Sequence, residues 1–189
     1  MNEQKSANPA VLGLLGYGVS TVLLSLANSG LYAVDGMVLI MGVFLGGIAQ
    51  TIVAVMAFRL GDTFGVTAFG GYSFLWLTFA FVNIGAINGW WTVSATAIGW
   101  YLILWMVFTI GLVFASAVAP RLLTIILALT AVLLGALGIG ALTGNAAISL
   151  FGGFEGVLTG ALAIYLAFAF LINEMYGKAV LPIGAPLRA

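Results

Sequence analysis

Residues 8–31 read Asn8-Pro-Ala-Val-Leu-Gly-Leu-Leu-Gly-Tyr17-Gly-Val-Ser20-Thr21-Val-Leu-Leu-Ser25-Leu-Ala-Asn28-Ser-Gly-Leu31. Tyr17, Ser20, Thr21, Ser25 and Asn28 recur at steps of three and four, which places them on one face of a helix. Val22, Leu23 and Leu26 cover much of the remainder. A stripe of hydroxyls and amides on an otherwise apolar helix is costly in lipid, so that face must turn toward protein or a wet cavity. Two readings follow from the residues alone: hydrogen bonding between helices, for which Ser and Thr are well suited, or the wall of a pore.

Composition supports a membrane setting for that helix. The chain is 63% hydrophobic and only 5% charged, with a mean hydropathy of +1.25. So few ionisable side chains cannot cover the surface of a soluble domain. Cys and His are both absent, which removes thiol chemistry, imidazole general-base chemistry and the commonest zinc ligands. Neither a nucleophile–base pair nor a metal-ligand cluster can be picked out, so the sequence argues against an enzyme and calls for no cofactor or metal. Net charge is zero, and no basic run points to nucleic acid. The first apolar helix lacks a small-residue cleavage site and is expected to be retained rather than removed as a signal.

A spanning helix needs roughly 20 predominantly apolar residues. Six stretches satisfy this, at about 10–29, 37–59, 66–86, 96–117, 121–143 and 153–175. The expected fold is therefore an all-α integral membrane protein with six transmembrane helices, and residues 1–189 form one domain. The split at Pro120 is the one that a proline-kinked single helix would mimic. Charge tests the count independently. With the N-terminus inside, Lys5, Arg59, Arg121, Lys178 and Arg188 all fall on the cytoplasmic side and none on the other, a complete positive-inside asymmetry. Both termini are expected in the cytoplasm, with the chain a multi-pass protein of the cell membrane.

Further features attach to these spans. Asp35-Gly36 is a fitting start for the second, since a carboxylate there complements the helix dipole. Gly42 and Gly46 in the second span, and Gly152, Gly156 and Gly160 in the sixth, are spaced for close backbone approach. Gln50 is a mid-span amide, either a strut between helices or a pore-lining group. Phe69, Tyr72, Ser73 and Trp76 share a face of the third span, where the Tyr72 hydroxyl needs a partner. Trp90 and Trp91 suit an outer interfacial loop, and the fourth span reads as lipid- or neighbour-facing filler.

Several of these stretches resemble the acetate uptake transporter family, the succinate–acetate permeases. The family pattern Asn-Pro-Ala-Pro-Leu-Gly-Leu, followed by an aromatic, is matched by Asn8, Pro9, Ala10, Leu12, Gly13 and Leu14, with Val11 in place of the second proline and Tyr17 where Phe is usual. Thr63-Phe-Gly, Thr67-Ala-Phe and Tyr72 match a second element, in which Asp62 replaces a common Asn. Gly144-Asn145-Ala-Ala and the ending from Ile172 to Gly184 match two more. The resemblance implies six helices around a pore in each protomer, assembly as a homo-hexamer, and traffic of acetate and sometimes succinate. It also implies a narrow waist made by Tyr17, Tyr72 and a residue of the fifth span that falls at Thr130, with Leu129 beside it. Tyr17 and Thr130 then add hydroxyls where the family waist is apolar, which predicts a wetter constriction or a shifted substrate preference.

A carboxylate entering a low-dielectric interior faces a cost of order 20 kcal/mol in the idealised Born limit. No Lys, Arg or His is available mid-membrane to offset it. Donors on Tyr17, Ser20, Thr21, Tyr72 and Asn145, the helix N-termini near Asn8-Pro9 and Thr63-Phe64, and retained water are the substitutes on offer. Asp35 and Glu155 belong near the outer end, Asp62 and Glu174 near the inner. With no acid at mid-membrane, a proton is expected to travel on the substrate or on water, which leaves a channel-like mode open. A channel for a small neutral solute and a non-transporting scaffold are the competing readings. Because the chain has no native Cys, topology can be tested by labelling. A cysteine introduced at Lys178 is expected to stay unlabelled by an impermeant thiol reagent applied to intact cells, and labelling from outside would overturn the six-span arrangement.

Overall fold

A computed structural model describes residues 6–188; Lys5, the first of the expected cytoplasmic cations, lies outside them. Among the described residues there are six helices long and apolar enough to cross a membrane: α1 (Ala10–Asn28), α2 (Gly36–Arg59), α3 (Thr63–Ile87), α4 (Ala95–Val118), α5 (Arg121–Thr143) and α6 (Ala146–Tyr176). The chain is thus an all-helical, multi-pass membrane protein.

The starts of α2, α3, α4 and α6 follow from side chains that take up N–H groups lacking an intrahelical partner. Asp35 Oδ1 accepts from the Met37 and Val38 N–H groups at 2.9 and 3.3 Å. The Gly65 N–H donates to Asp62 Oδ1 at 2.8 Å, and the Ala97 N–H to Ser94 Oγ at 3.1 Å. Asn145 Oδ1 accepts from Ala147 and Ile148 at 3.0 and 3.4 Å, so α6 begins at Ala146 rather than near residue 153. Its 31 residues span about 46 Å at 1.5 Å each, well beyond a hydrocarbon core of about 30 Å. Pro120 separates two helices rather than kinking one. α4 closes in a 3-10 turn at Ser116–Val118, Ala119 is extended, and the chain restarts at Arg121. Extended backbone is what a residue preceding proline favours. The Thr124 hydroxyl bridges the break by donating to the Ser116 carbonyl at 2.9 Å.

α1 lies against α6 at backbone distance. A Cβ placed on Gly18 would stand 2.8 Å from the Gly160 carbonyl oxygen, and one on Gly160 would stand 2.8 Å from that of Gly18. Gly156 faces Ser25 and Gly153 faces the Asn28–Ser29 backbone, whereas Gly152 turns to Leu137 and Ala136 of α5. On its other flank α1 meets a wide-turn π segment of α2, Gly42–Ala49. Gly16 abuts the Leu45 carbonyl there, and Gly46 leaves room for the Trp76 ring. Ser20 Oγ donates to the Met41 carbonyl at 3.3 Å and Ser73 Oγ to that of Gly47 at 2.9 Å, so neighbouring hydroxyls bind carbonyls at and beside the irregular register. Such π segments often adjoin functional sites.

After Gly177, which ends α6 with φ 64°, the chain folds back under the bundle. The Asn173 amide holds this return: its Nδ2 donates to the Leu181 carbonyl at 2.9 Å, and its Oδ1 accepts from Val180 and Leu181 at 2.7 and 2.8 Å. The Leu122 N–H at the start of α5 donates to the Ile183 carbonyl at 3.0 Å. The motif from Ile172 to Gly184 is therefore a strap over the inner ends of α5 and α6.

The glycine contact gives a direct test. Gly160→Ala must push α1 and α6 apart and should destabilise the protein by about 1–3 kcal/mol. Gly111→Ala, whose Cβ would meet nothing within 4 Å, should not. Thermal unfolding of both variants in detergent distinguishes the two outcomes.

Candidate functional site

Two cavities enter the bundle from opposite ends and meet at the same three side chains. The outer one encloses about 480 Å³, and its wall includes Thr21, Ser25 and Asn28 of α1, Asn83 of α3 and Tyr101 of α4. The inner one, about 230 Å³, is bounded by Asn8, Gln50, Asp62, Phe69 and Phe170 among others. Tyr17, Tyr72 and Thr130 line both. The two tyrosine rings lie 5.5 Å apart and tilted by 41°, and each side chain is almost wholly buried. They form the partition between the cavities.

The hydroxyls at the partition are tied to threonines. Tyr17 Oη and Thr130 Oγ1 are 2.6 Å apart, and Thr130 Oγ1 donates to the Ile126 carbonyl at 2.8 Å. Across the gap, Tyr72 Oη lies 3.0 Å from Thr109 Oγ1, which donates to the Trp105 carbonyl at 2.8 Å. A threonine has one hydroxyl proton. If it is spent on the carbonyl four residues back, the tyrosine must donate in its turn. Each tyrosine hydroxyl at the partition is thus tied to a threonine, and either oxygen of each pair can serve as the donor. Tyr17 and Thr130, the two departures from the family waist, are hydrogen-bonded to each other.

The other expected residues divide in the same concrete way. Thr21 Oγ1, one turn outward from Tyr17, is buried without a hydrogen-bond partner among the described residues. Gln50 spends its Nε2 on the Gly13 carbonyl at 3.0 Å, while its Oε1 is buried and unpartnered among those residues. Gly13 also receives the Phe69 ring, which a Cβ there would strike. Asn8 Oδ1 accepts from the Ala10 N–H at 3.0 Å, and Pro9 stands at the head of α1. The N-termini of α1 and α3 thus reach the inner cavity already capped by side chains, that of α3 by the Asp62 carboxylate. Ser20 turns to α2, Leu129 lines neither cavity, and Asn145 caps α6 away from both. Glu155 lies on the third turn of α6, beside Gly156 and hence level with the last turn of α1. Its Oε1 accepts from Thr159 at 2.6 Å.

α4 contributes more than filler. Thr109 is fully buried, and Phe108 meets Tyr72 edge-on at 5.8 Å, with Trp105 behind it at 5.2 Å. Tyr101 lines the outer cavity and donates to the Leu75 carbonyl at 2.8 Å. The sequence signal for Thr109 was its place seven residues before Ser116 and eight after Tyr101, which puts the three hydroxyls toward one side of α4.

Comparison with known proteins places this geometry. Residues 1–183 match the model of the GPR1/FUN34/yaaH family. The "Succinate-acetate/proton symporter SatP" of Escherichia coli (strain K12) is 44% identical over 185 residues, covering 97% of this chain and 98% of that protein. "Ammonia transport outward protein 2" of Saccharomyces cerevisiae (strain ATCC 204508 / S288c) is 31% identical over 173 residues, 87% of this chain and 61% of that one. Among solved structures, one described as "Structure of the bacterial acetate channel SatP" superposes with a TM-score of 0.94 at 44% identity, covering 95% of this chain and all of that one.

The hydrogen-bond assignment carries a stability consequence. Tyr17→Phe keeps the ring and leaves Thr130 its bond to Ile126, so the loss should be about 0.5–1.5 kcal/mol, that of one ordinary hydrogen bond. Unfolding in detergent measures it. A loss above about 3 kcal/mol, beyond any single hydrogen bond, would mean that the pair holds the fold as a whole.

Proposed function

The chain belongs to the GPR1/FUN34/yaaH family, and we propose that it carries acetate and other short carboxylates such as succinate, together with protons, across the cell membrane. The observation that supports this most is the pair of cavities converging from opposite ends on Tyr17, Tyr72 and Thr130. That is the arrangement a permeation path needs and a scaffold does not. The proposed path runs from Thr21 through the three-residue waist to Gln50, within a single domain formed by the six helices. Both termini are placed in the cytoplasm on this reading, which the one-sided distribution of Lys and Arg along the sequence supports.

The working unit is a ring of protomers, most simply six, each with its own path. In α4 only 17% of the apolar window is buried within one chain, and Leu104 and Phe114 are largely exposed. Those faces are available to lipid and to neighbouring protomers.

Uptake in proteoliposomes tests the assignment. Radiolabelled acetate, succinate, urea and methylammonium should be presented side by side, with protein-free vesicles as the baseline. Acetate uptake above that baseline, faster at lower external pH, is the expected result. Urea or methylammonium uptake without acetate uptake would replace this function with another. Tyr72→Ala, which removes one wall of the partition, should raise succinate uptake relative to acetate. Unchanged selectivity would place the selective step away from the waist.

A further inference from the structure

The strap forms one wall of a groove of about 340 Å³ on the flank of the bundle, and α5 and α6 form the other two. Ile125, Leu162 and Ile183 make the lining apolar, and Ile125 is left exposed. Among the described residues lining it, Arg121 at the head of α5 is the one charged side chain. The strap holds that arginine at the rim. Gly184, with φ 74°, lies so close that a Cβ on it would stand 2.9 Å from the Arg121 Cβ. The strap's own acceptors are already taken. The Pro182 carbonyl accepts from the Tyr165 hydroxyl at 3.0 Å, and those of Ile183 and Gly184 accept from the Leu122 and Arg121 N–H groups at 3.0 and 3.4 Å. An incoming molecule therefore meets guanidinium donors and positive charge at one end and hydrocarbon along the rest. Beyond the groove the Leu187 and Arg188 N–H groups donate to the Ala117 carbonyl at 3.0 Å, which keeps a second arginine by the turn before α5.

We propose that this groove is a site for an anionic phospholipid of the cytoplasmic leaflet, with its phosphate on Arg121 and an acyl chain along Ile125 and Leu162. The planar fork of a guanidinium suits phosphate oxygens, and basic pockets between spans on the cytoplasmic side suit such headgroups. A zwitterionic lipid carries its own cation to the rim and gains less from Arg121. A soluble anion leaves the apolar walls without a partner. The groove shares no lining residue with either cavity of the proposed path, so this inference goes beyond the transport function and is tested apart from it. A lipid seated there would tie the strap to the inner ends of α5 and α6.

Native mass spectrometry of the full-length protein in detergent, with phosphatidylglycerol or phosphatidylcholine of the same acyl chains added, reads the occupancy. Phosphatidylglycerol should stay bound at concentrations where phosphatidylcholine does not, and should raise the temperature of unfolding. Arg121→Gln should weaken its retention on the order of 10-fold, as expected for a lost hydrogen bond to a charged group. Arg121→Lys, which keeps the charge without the fork, should fall between the two. Ile125→Trp fills the groove from an exposed position, so it should also lose the lipid and its stabilising effect while Arg121 is unchanged. Equal retention of both lipids would overturn the proposal, as would phosphatidylglycerol retention that none of these substitutions alters. Displacement of phosphatidylglycerol by millimolar inorganic phosphate would make this a soluble-anion site instead. A wild type that retains no lipid, with an altered oligomer mass for Ile125→Trp, would show the groove to be covered by a second copy of the chain and would overturn the proposal as well.

Discussion

In a medium without water every buried hydroxyl has to find its partner inside the protein, and the Tyr17–Thr130 hydrogen bond is where that constraint shapes this molecule. It joins α1 to α5 across the centre of the bundle and brings together the ends of two cavities. The phenol could not stand there unpaired without a cost of about 1–3 kcal/mol. Partnering it to a threonine meets that requirement. Tyr72 and Thr109 solve the same problem on the facing wall.

The position of Tyr17 depends in turn on how closely α1 can approach its neighbours. Against α6 the approach is closest at Gly18 and Gly160, each facing the other's carbonyl oxygen, with Val22 and Ile164 packed beside them. Against α2 it is made by Gly16 and the π segment, whose wider turn brings the Leu45 carbonyl to α1. Packing rather than water exclusion drives helix association in lipid. The glycines therefore set the inward reach of the polar stripe, and larger residues would withdraw Tyr17 from the partition.

The number of helices and their order could be read from the chain, since apolar length and one-sided Lys and Arg are properties of composition. Asp35 as a helix start and the glycine faces were legible for similar reasons, each resting on a local rule. The start of α6 was not: Gly144, Ser149, Gly152 and Gly153 thin the apolar signal over two turns that Asn145 nevertheless caps into a helix. Asn145 accordingly proved to be a cap, and the α1 and α3 N-termini proved to be occupied by Asn8 and Asp62 side chains. The stripe of α1 pointed to the cavity side, yet its register could not show that Ser20 turns to the Met41 carbonyl instead. Thr109 went unread because the hydroxyls on its side of α4, Tyr101, Thr109 and Ser116, stand two turns apart among aliphatic and aromatic residues and make no continuous stripe. The pairing of Tyr17 with Thr130 and of Tyr72 with Thr109 was also beyond the sequence, because it joins residues far apart in the chain.

A partition built from tied phenols and threonines holds no group that titrates near neutral pH. The waist itself therefore has no protonation equilibrium that could saturate or set an optimum, the nearest carboxylate on the path being that of Asp62 in the wall of the inner cavity. The acidity profile of transport would then belong to the cargo: a weaker acid would be carried up to a higher pH than a stronger one by the same unmodified protein. Two substrates of equal size and different acid strength would appear to have different transporters. The spread between their profiles would equal the difference in their own dissociation constants.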